Sequence, residues 1–78
     1  MKKTIPEIYI KRLSELGCYL RELRMSENMT QKEVSHDVAL HHNSISNAEN
    51  GCNITLAALF ALCDYYNVPI DQIFVDIE

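Results

Sequence analysis

Apolar residues recur along this chain at helical rather than alternating spacing. Tyr9, Leu13, Leu16, Leu20 and Leu23 are separated by 4, 3, 4 and 3 positions, which places them on one stripe of a helix. The pattern predicts a first helix over residues 6–25, with Pro6 in its first turn, Thr4 or Ile5 as its cap, and Ser26-Glu27-Asn28 ending it. Gly17 interrupts the pattern at a cost of roughly 1 kcal/mol relative to Ala, so another helix is expected to press against it. Thr30 followed three residues later by Glu33 is a capping box opening a second helix, whose inward positions are Val34 and Val38. The turn that follows holds no glycine. Ala39 stands where a left-handed residue is expected, a conformation that alanine adopts reluctantly.

A third helix is predicted from His42 to Asn50, with His41 near its cap and Gly51 as its stop. Ile45 and Ala48 point inward, so Asn43, Ser46, Asn47 and Asn50 form the opposite face, with His42 at its leading end. Thr55 caps a fourth helix in which Leu56, Leu59, Phe60, Leu62, Cys63 and Tyr66 form a wide stripe expected to be buried. Asn67-Val68-Pro69 ends it, and Pro69–Phe74 reads as a short fifth helix. Two Gly, two Pro and this periodicity make the chain all-α. Seventy-eight residues leave room for one core, so residues 1–78 are read as a single domain: the first helix 6–25, a helix–turn–helix about 30–50, and a C-terminal helix and tail 69–78.

Charge sharpens the picture. The net charge of −4 conceals an asymmetry, since all seven basic residues, Lys2, Lys3, Lys11, Arg12, Arg21, Arg24 and Lys32, precede position 33. Residues 40–78 carry Glu49, Asp64, Asp71, Asp76 and Glu78 and no Lys or Arg. A protein that holds a polyanion by bulk charge does not have this distribution. Cys18, Cys52 and Cys63 are an odd count without a CxxC pair, which argues against a disulfide framework or a zinc site; Cys63 reads as core and Cys18 as partly exposed. His36, His41, His42 and Cys52 lack metal-ligand spacing, and no Ser/His/Asp order or carboxylate pair stands apart from the helical pattern, so no metal, cofactor or enzymatic activity is expected. Without a signal peptide or an apolar run near 18 residues, a cytoplasmic protein with no membrane partner is expected.

The stretch Thr30–Gly51, "TQKEVSHDVALHHNSISNAENG", resembles the helix-turn-helix of the phage repressor and Cro (Xre) family. The matching features are Thr30-Gln31 opening the second helix, His42-Asn43-Ser44 opening the third, Ile45-Ser46 within it, and Glu49-Asn50-Gly51 closing it. The likeness extends to residues 16–74, and it departs from the family in Ala39, where a turn Gly is usual, and in a third helix without basic residues. The resemblance implies a compact five-helix bundle of the lambda-repressor-like type, whose third helix enters the major groove. Asn43 and Asn47, four apart on the outward face, can each pair with adenine N6 and N7, and His42 can donate to a guanine acceptor; these three are the expected base readers. Gln31, Ser44, Asn50, Arg21 and Lys32 are the expected phosphate contacts. Arg24 and Glu49 match a pair that forms a structural ion pair in relatives. His41 and His42 stand where a relative carries a cation, and if protonated they would supply the missing charge, with His36 away from the groove.

The expected function is therefore a sequence-specific transcriptional regulator that reads a double-stranded DNA operator. In length it resembles restriction-modification controllers and stand-alone repressors. Few cations call for two cooperating half-sites, and Ile70, Ile73, Phe74, Val75 and Ile77 exceed what a short terminal helix buries, so a homodimer through this segment is expected. The rival reading is an antitoxin whose acidic second half binds a basic protein partner. The position of the acids relative to Asn43 and Asn47 discriminates the two.

Overall fold

Each helix begins and ends where the chain supplies the chemistry for it. The computed structural model describes residues 6–77 and contains α1 (Glu7–Ser26), α2 (Gln31–Val38), α3 (His42–Glu49), α4 (Leu56–Tyr66) and α5 (Ile70–Asp76), with no strand among the described residues. Pro6 is itself the N-cap of α1, with extended backbone, rather than its first helical residue, and Thr4 and Ile5 lie outside the described residues. Asn28, at φ 55°, turns the chain after α1. The capping box of α2 is complete: Thr30 Oγ1 accepts from the Glu33 N–H at 3.1 Å, and Glu33 Oε1 accepts from the Thr30 N–H at 2.9 Å.

Ala39 ends α2 in the left-handed region, at φ 57° and ψ 36°, and the Leu40 N–H then bonds to the Ser35 carbonyl at 3.1 Å. The turn is thus made by geometry that alanine tolerates at a cost, as its position in the sequence suggested. Asn67 performs the same task after α4, at φ 59°, with less penalty because Asn populates this region more readily.

Leu16, Leu20, Val34, Ile45, Leu59 and Ile73 lie at the centre of the core, which draws on all five helices. Gly17 is where α1 and α3 meet. A Cβ there would lie 2.5 Å from the Ala48 carbonyl oxygen and 2.7 Å from that of Glu49, so only glycine admits α3 at this distance. Gly51 closes α3 at φ 85°, with Ser14 of α1 beside it. Two phenols tie the periphery: Tyr19 donates to Asp76 Oδ2 at 2.7 Å, linking α1 to α5, and Tyr65 donates to Asp37 Oδ2 at 2.6 Å, linking α4 to α2.

Three expectations about burial are corrected. Tyr9 is 51% exposed, because the first turns of α1 run beyond the helices that cover Leu16, Gly17 and Leu20. On α4, Leu56 and Phe60 are exposed at 63% and 50%. At about 100° per residue they fall roughly 90° or more round the axis from the centre of the buried face formed by Ala58, Leu59, Leu62, Cys63 and Tyr66. Ile73 is fully buried in the core and is unavailable to an interface, and Ile70 and Ile77 also pack against that core. Phe74 and Val75 remain exposed on α5.

Candidate nucleic-acid interface

α3 divides cleanly into two faces. Ile45, Ala48 and Glu49 are buried, whereas His42, Asn43, Ser44 and Asn47 are exposed. On a helical projection Asn43 and Asn47 lie within about 20° of the direction opposite Ile45, and Ser46 turns to the flank and is half-buried. The structure therefore brings Asn43 and Asn47 together at one solvent-facing surface, while His42 is exposed at the leading end of the helix, about 100° round the axis from Asn43 and 140° from Asn47. Asn50, the C-cap of α3, is exposed at its far end.

The head of α3 is held by an imidazole. His41 is the N-cap, and its Nδ1 accepts from the Asn43 backbone N–H at 3.1 Å. The rings of His41 and His42 stack with centroids 6.2 Å apart and planes inclined by 30°. His41 thus caps α3 as a hydrogen-bond acceptor, the role that its position near the cap offered beside the cationic one.

The base of α3 is held by Glu49. Arg24 donates through Nε to Oε2 at 2.8 Å and through Nη2 to Oε1 at 2.9 Å, and its Nη1 donates to the Met29 carbonyl at 2.7 Å. One guanidinium therefore joins α1, the turn before α2, and α3. The two side chains are only 13% and 3% exposed, and the hydrogen bond to Glu49 raises the Arg24 pKa against the opposing effect of burial. Gln31 completes the cluster, donating from Nε2 to Glu49 Oε1 at 3.0 Å. This corrects the expectation for Gln31, whose amide turns inward because a buried carboxylate accepts more strongly than water competes for the donor.

The remaining expected phosphate contacts are scattered. Arg21 and Lys32 are exposed on α1 and α2, and Lys32 lines a cleft with Glu33, His36 and Asp37, whose acids offset its charge. Ser44 and Asn47 instead line a small cleft, about 140 Å³, with Asn53, Ile54, Thr55 and Ala58 at the start of α4. Asn53 was not singled out from the sequence. The signal available was its position two residues before the Thr55 cap, whose Oγ1 accepts from the Ala58 N–H at 3.1 Å.

The fold has close counterparts. Structures of the restriction-modification controller protein C.Esp1396I, as the wild type and as the tetramer in complex with its natural 35 base-pair operator, align with a TM-score of 0.72 and 24% identity, covering 85% of this chain and 88% of theirs. A single-residue mutant of that controller aligns equally well over 85% of each chain. These are likenesses of fold. Among curated proteins, sequence comparison finds no match. A helix-turn-helix family model matches residues 20–73, from Leu20 of α1 to Ile73 of α5, and the chain belongs to that helix-turn-helix family, of the repressor and Cro type that its motif resembles.

Proposed function

We propose that this protein is a non-enzymatic, cytoplasmic transcriptional regulator that binds double-stranded DNA, with α3 in the major groove. The observation that carries this reading is the exposed pair of amide side chains, Asn43 and Asn47, on a helix whose opposite face is fixed in the core, with His42 exposed at its leading end. Asn43 and Asn47 read adenine edges, His42 a neighbouring acceptor, and Ser44, Asn50, Arg21 and Lys32 attach to the backbone. Gln31 adds at most the second N–H of its amide. The controller C.Esp1396I, whose fold this chain shares, was seen as a tetramer on its operator, which supports the same class of role here.

The placement of the acids favours regulation over an antitoxin role. Glu49, the sole carboxylate of α3, is turned inward and neutralised by Arg24. Asp37 and Asp76 are held by tyrosines. Asp64 lies six residues past Ala58, about 9 Å further along α4, and Asp71 belongs to α5. Among the described residues α3 thus carries no acid on its outward face, and Glu78 lies outside the described residues.

The working unit is a homodimer through α5 and the start of α1. Phe74 and Val75 are exposed, and Phe74 and Ile77 border an apolar groove of about 350 Å³ against Tyr9, Leu13 and Leu16 of α1. Sedimentation checks this point: a monomer at concentrations that occupy DNA removes it. The central test is selection of bound sequences from random duplexes, followed by mobility shifts with Asn43→Ala and Asn47→Ala. Each should cost about 1–3 kcal/mol on the selected site and little on a scrambled duplex. Equal loss on both duplexes would reduce these residues to attachment.

A further inference from the structure

The start of α1 and the end of α5 enclose a groove of about 350 Å³, lined by Tyr9, Arg12, Leu13, Leu16, Phe74 and Ile77 and by nothing from α2 or α3. At about 100° per residue the four α1 residues fall within an arc of roughly 100°, so a single face of that helix makes one wall. Leu16 is buried, Leu13 and Ile77 are half-buried, and the two rings, one on each helix, are exposed. Arg12 is the one charged residue of the lining. Its guanidinium carbon lies 5.9 Å from the centre of the Tyr9 ring, within reach of a cation–π contact, and among the described residues it forms no ion pair. The acids of both helices are placed elsewhere. Glu7 and Glu15 lie about 110° or more round α1 from the middle of the lining face. On α5, Asp76 accepts from the Tyr19 hydroxyl at 2.7 Å and from Gln72 Nε2 at 2.8 Å, and Asp71, in the first turn, is outside the lining. The groove is thus an apolar volume with one uncompensated positive charge among the described residues.

We propose that this groove is a binding site for a small amphipathic monoanion, a monocarboxylate with an aliphatic tail of medium length. The tail lies between the Tyr9 and Phe74 rings against Leu13 and Leu16, and the carboxylate accepts from the Arg12 guanidinium. Charge selects the head group: a planar carboxylate matches the guanidinium fork and balances one cation, whereas a phosphate dianion calls for a second. Size selects the class of ligand. The volume falls within the range of about 300–1,000 Å³ typical of small-molecule clefts, and six lining residues are far fewer than the roughly 20–30 a side of a stable protein interface. The site goes beyond the DNA reading and does not depend on it. It does border the face assigned above to the homodimer, so a second copy is the occupant that the test must separate from the carboxylate.

Titration of the full chain with sodium octanoate, without DNA, tests the proposal. Amide proton–nitrogen spectra should show saturable shifts concentrated at the start of α1 and on α5, with sedimentation run alongside. Octanamide keeps the tail and removes the charge, and it should bind about tenfold more weakly, the scale of a hydrogen bond to a charged group. Arg12→Gln should weaken octanoate by the same factor and leave octanamide unchanged, while Phe74→Ala should weaken both. Arg12 and Phe74 are exposed, so the urea midpoints of both variants should match the wild type. Equal affinity for octanoate and octanamide, undiminished octanoate binding by Arg12→Gln, or shifts centred instead on the exposed Leu56 and Phe60 of α4 would each overturn the proposal. No saturable binding by a protein that sediments as a dimer would give the groove to the second copy. The same result from a monomer would leave it an apolar cleft without a ligand, and either outcome overturns the site.

Discussion

Replacing Gly17 by Ala sets two effects of opposite sign against each other. Gly17 sits in the middle of a 20-residue helix, where alanine is favoured by about 1 kcal/mol on propensity. The added methyl would, however, lie 2.5 Å from the Ala48 oxygen and 2.7 Å from the Glu49 oxygen. Both are backbone atoms, so no rotamer relieves the contact. The Ala48 carbonyl is also committed, since it accepts from the Gly51 N–H at 3.2 Å in the turn that closes α3. Overpacking of a well-filled interior costs about 1–3 kcal/mol. Two backbone clashes place this site at the upper end, and about 3 offset by about 1 leaves a net loss of about 2 kcal/mol. For a domain of this size that lowers Tm by about 8–16 °C. Urea unfolding followed by circular dichroism should show the lower midpoint at an unchanged slope. Because the obstruction lies under α3, DNA binding should weaken even where the variant is fully folded. A Gly17→Ala variant as stable as the wild type would refute the reasoning, and would mean that α1 and α3 are not held together at this point.

The other predictions concern the turn, the ion pair and the phenols. Ala39→Gly should stabilise the fold by about 0.5–1 kcal/mol in urea, because relief of left-handed strain of about 1–2 kcal/mol exceeds the added freedom of the unfolded chain, and Ala39 is exposed with no packing to lose. Arg24→Met should cost about 3–5 kcal/mol by leaving the Glu49 carboxylate buried without its partner, while Arg24→Met combined with Glu49→Leu should recover a large part of that; a double substitution no better than the single would refute the ion-pair account. Burial, with the Glu49 carboxylate adding to it, pushes the Tyr66 phenol up to about 12, and the hydrogen bond to Asp37 does the same for Tyr65. Both native pKa values lie above the unfolded value of about 10, so their stabilisation is complete below pH 10 and lost as pH rises through about 12. Urea midpoints across that window, with tyrosinate absorbance alongside, should show the fall, and Tyr66→Phe should reduce it to the part that Tyr65 contributes.

The parts of the fold that were legible in the sequence are those fixed by local chemistry. The Thr30–Glu33 box, the Thr55 cap and the left-handed Ala39 each depend on a few neighbouring residues, and each stands where its residue types put it. Gly17 was legible as a close approach, though not the partner, which required knowing that α3 ends there. What failed were inferences about which apolar residues are covered. Tyr9, Leu56 and Phe60 fit helical periodicity, but burial depends on how far a neighbouring helix extends and at what angle it crosses. Ile73 and Phe74 are adjacent and equally apolar, yet one is central to the core and the other solvent-facing. At the candidate site, Asn43 and Asn47 were legible as outward because Ile45 and Ala48 fix the phase of α3. The inward turn of Gln31 was not, because it answers a carboxylate eighteen positions away.

The charge distribution follows from the same contacts. An acidic chain that presents a helix to DNA must keep its carboxylates off that face, and two like charges about 4 Å apart near a surface repel by about 4 kcal/mol, so one acid facing a phosphate matters. Glu49 is the acid closest to the reading surface in sequence, and it is the one that is buried, paired in two-point contact with Arg24 and bonded to Gln31. The pairing uses one of the few cations of the described chain for architecture, leaving Arg21 and Lys32 as the charged groups expected at the backbone. On the proposed reading, affinity then rests more heavily on neutral donors such as Asn43, Asn47 and Ser44, whose contacts require close geometry and are little screened by salt. Close geometry in turn requires a rigid α3. The cap at His41, the glycine contact at Gly17 and the ion pair at Glu49 fix the head, the inner face and the base of that one eight-residue helix.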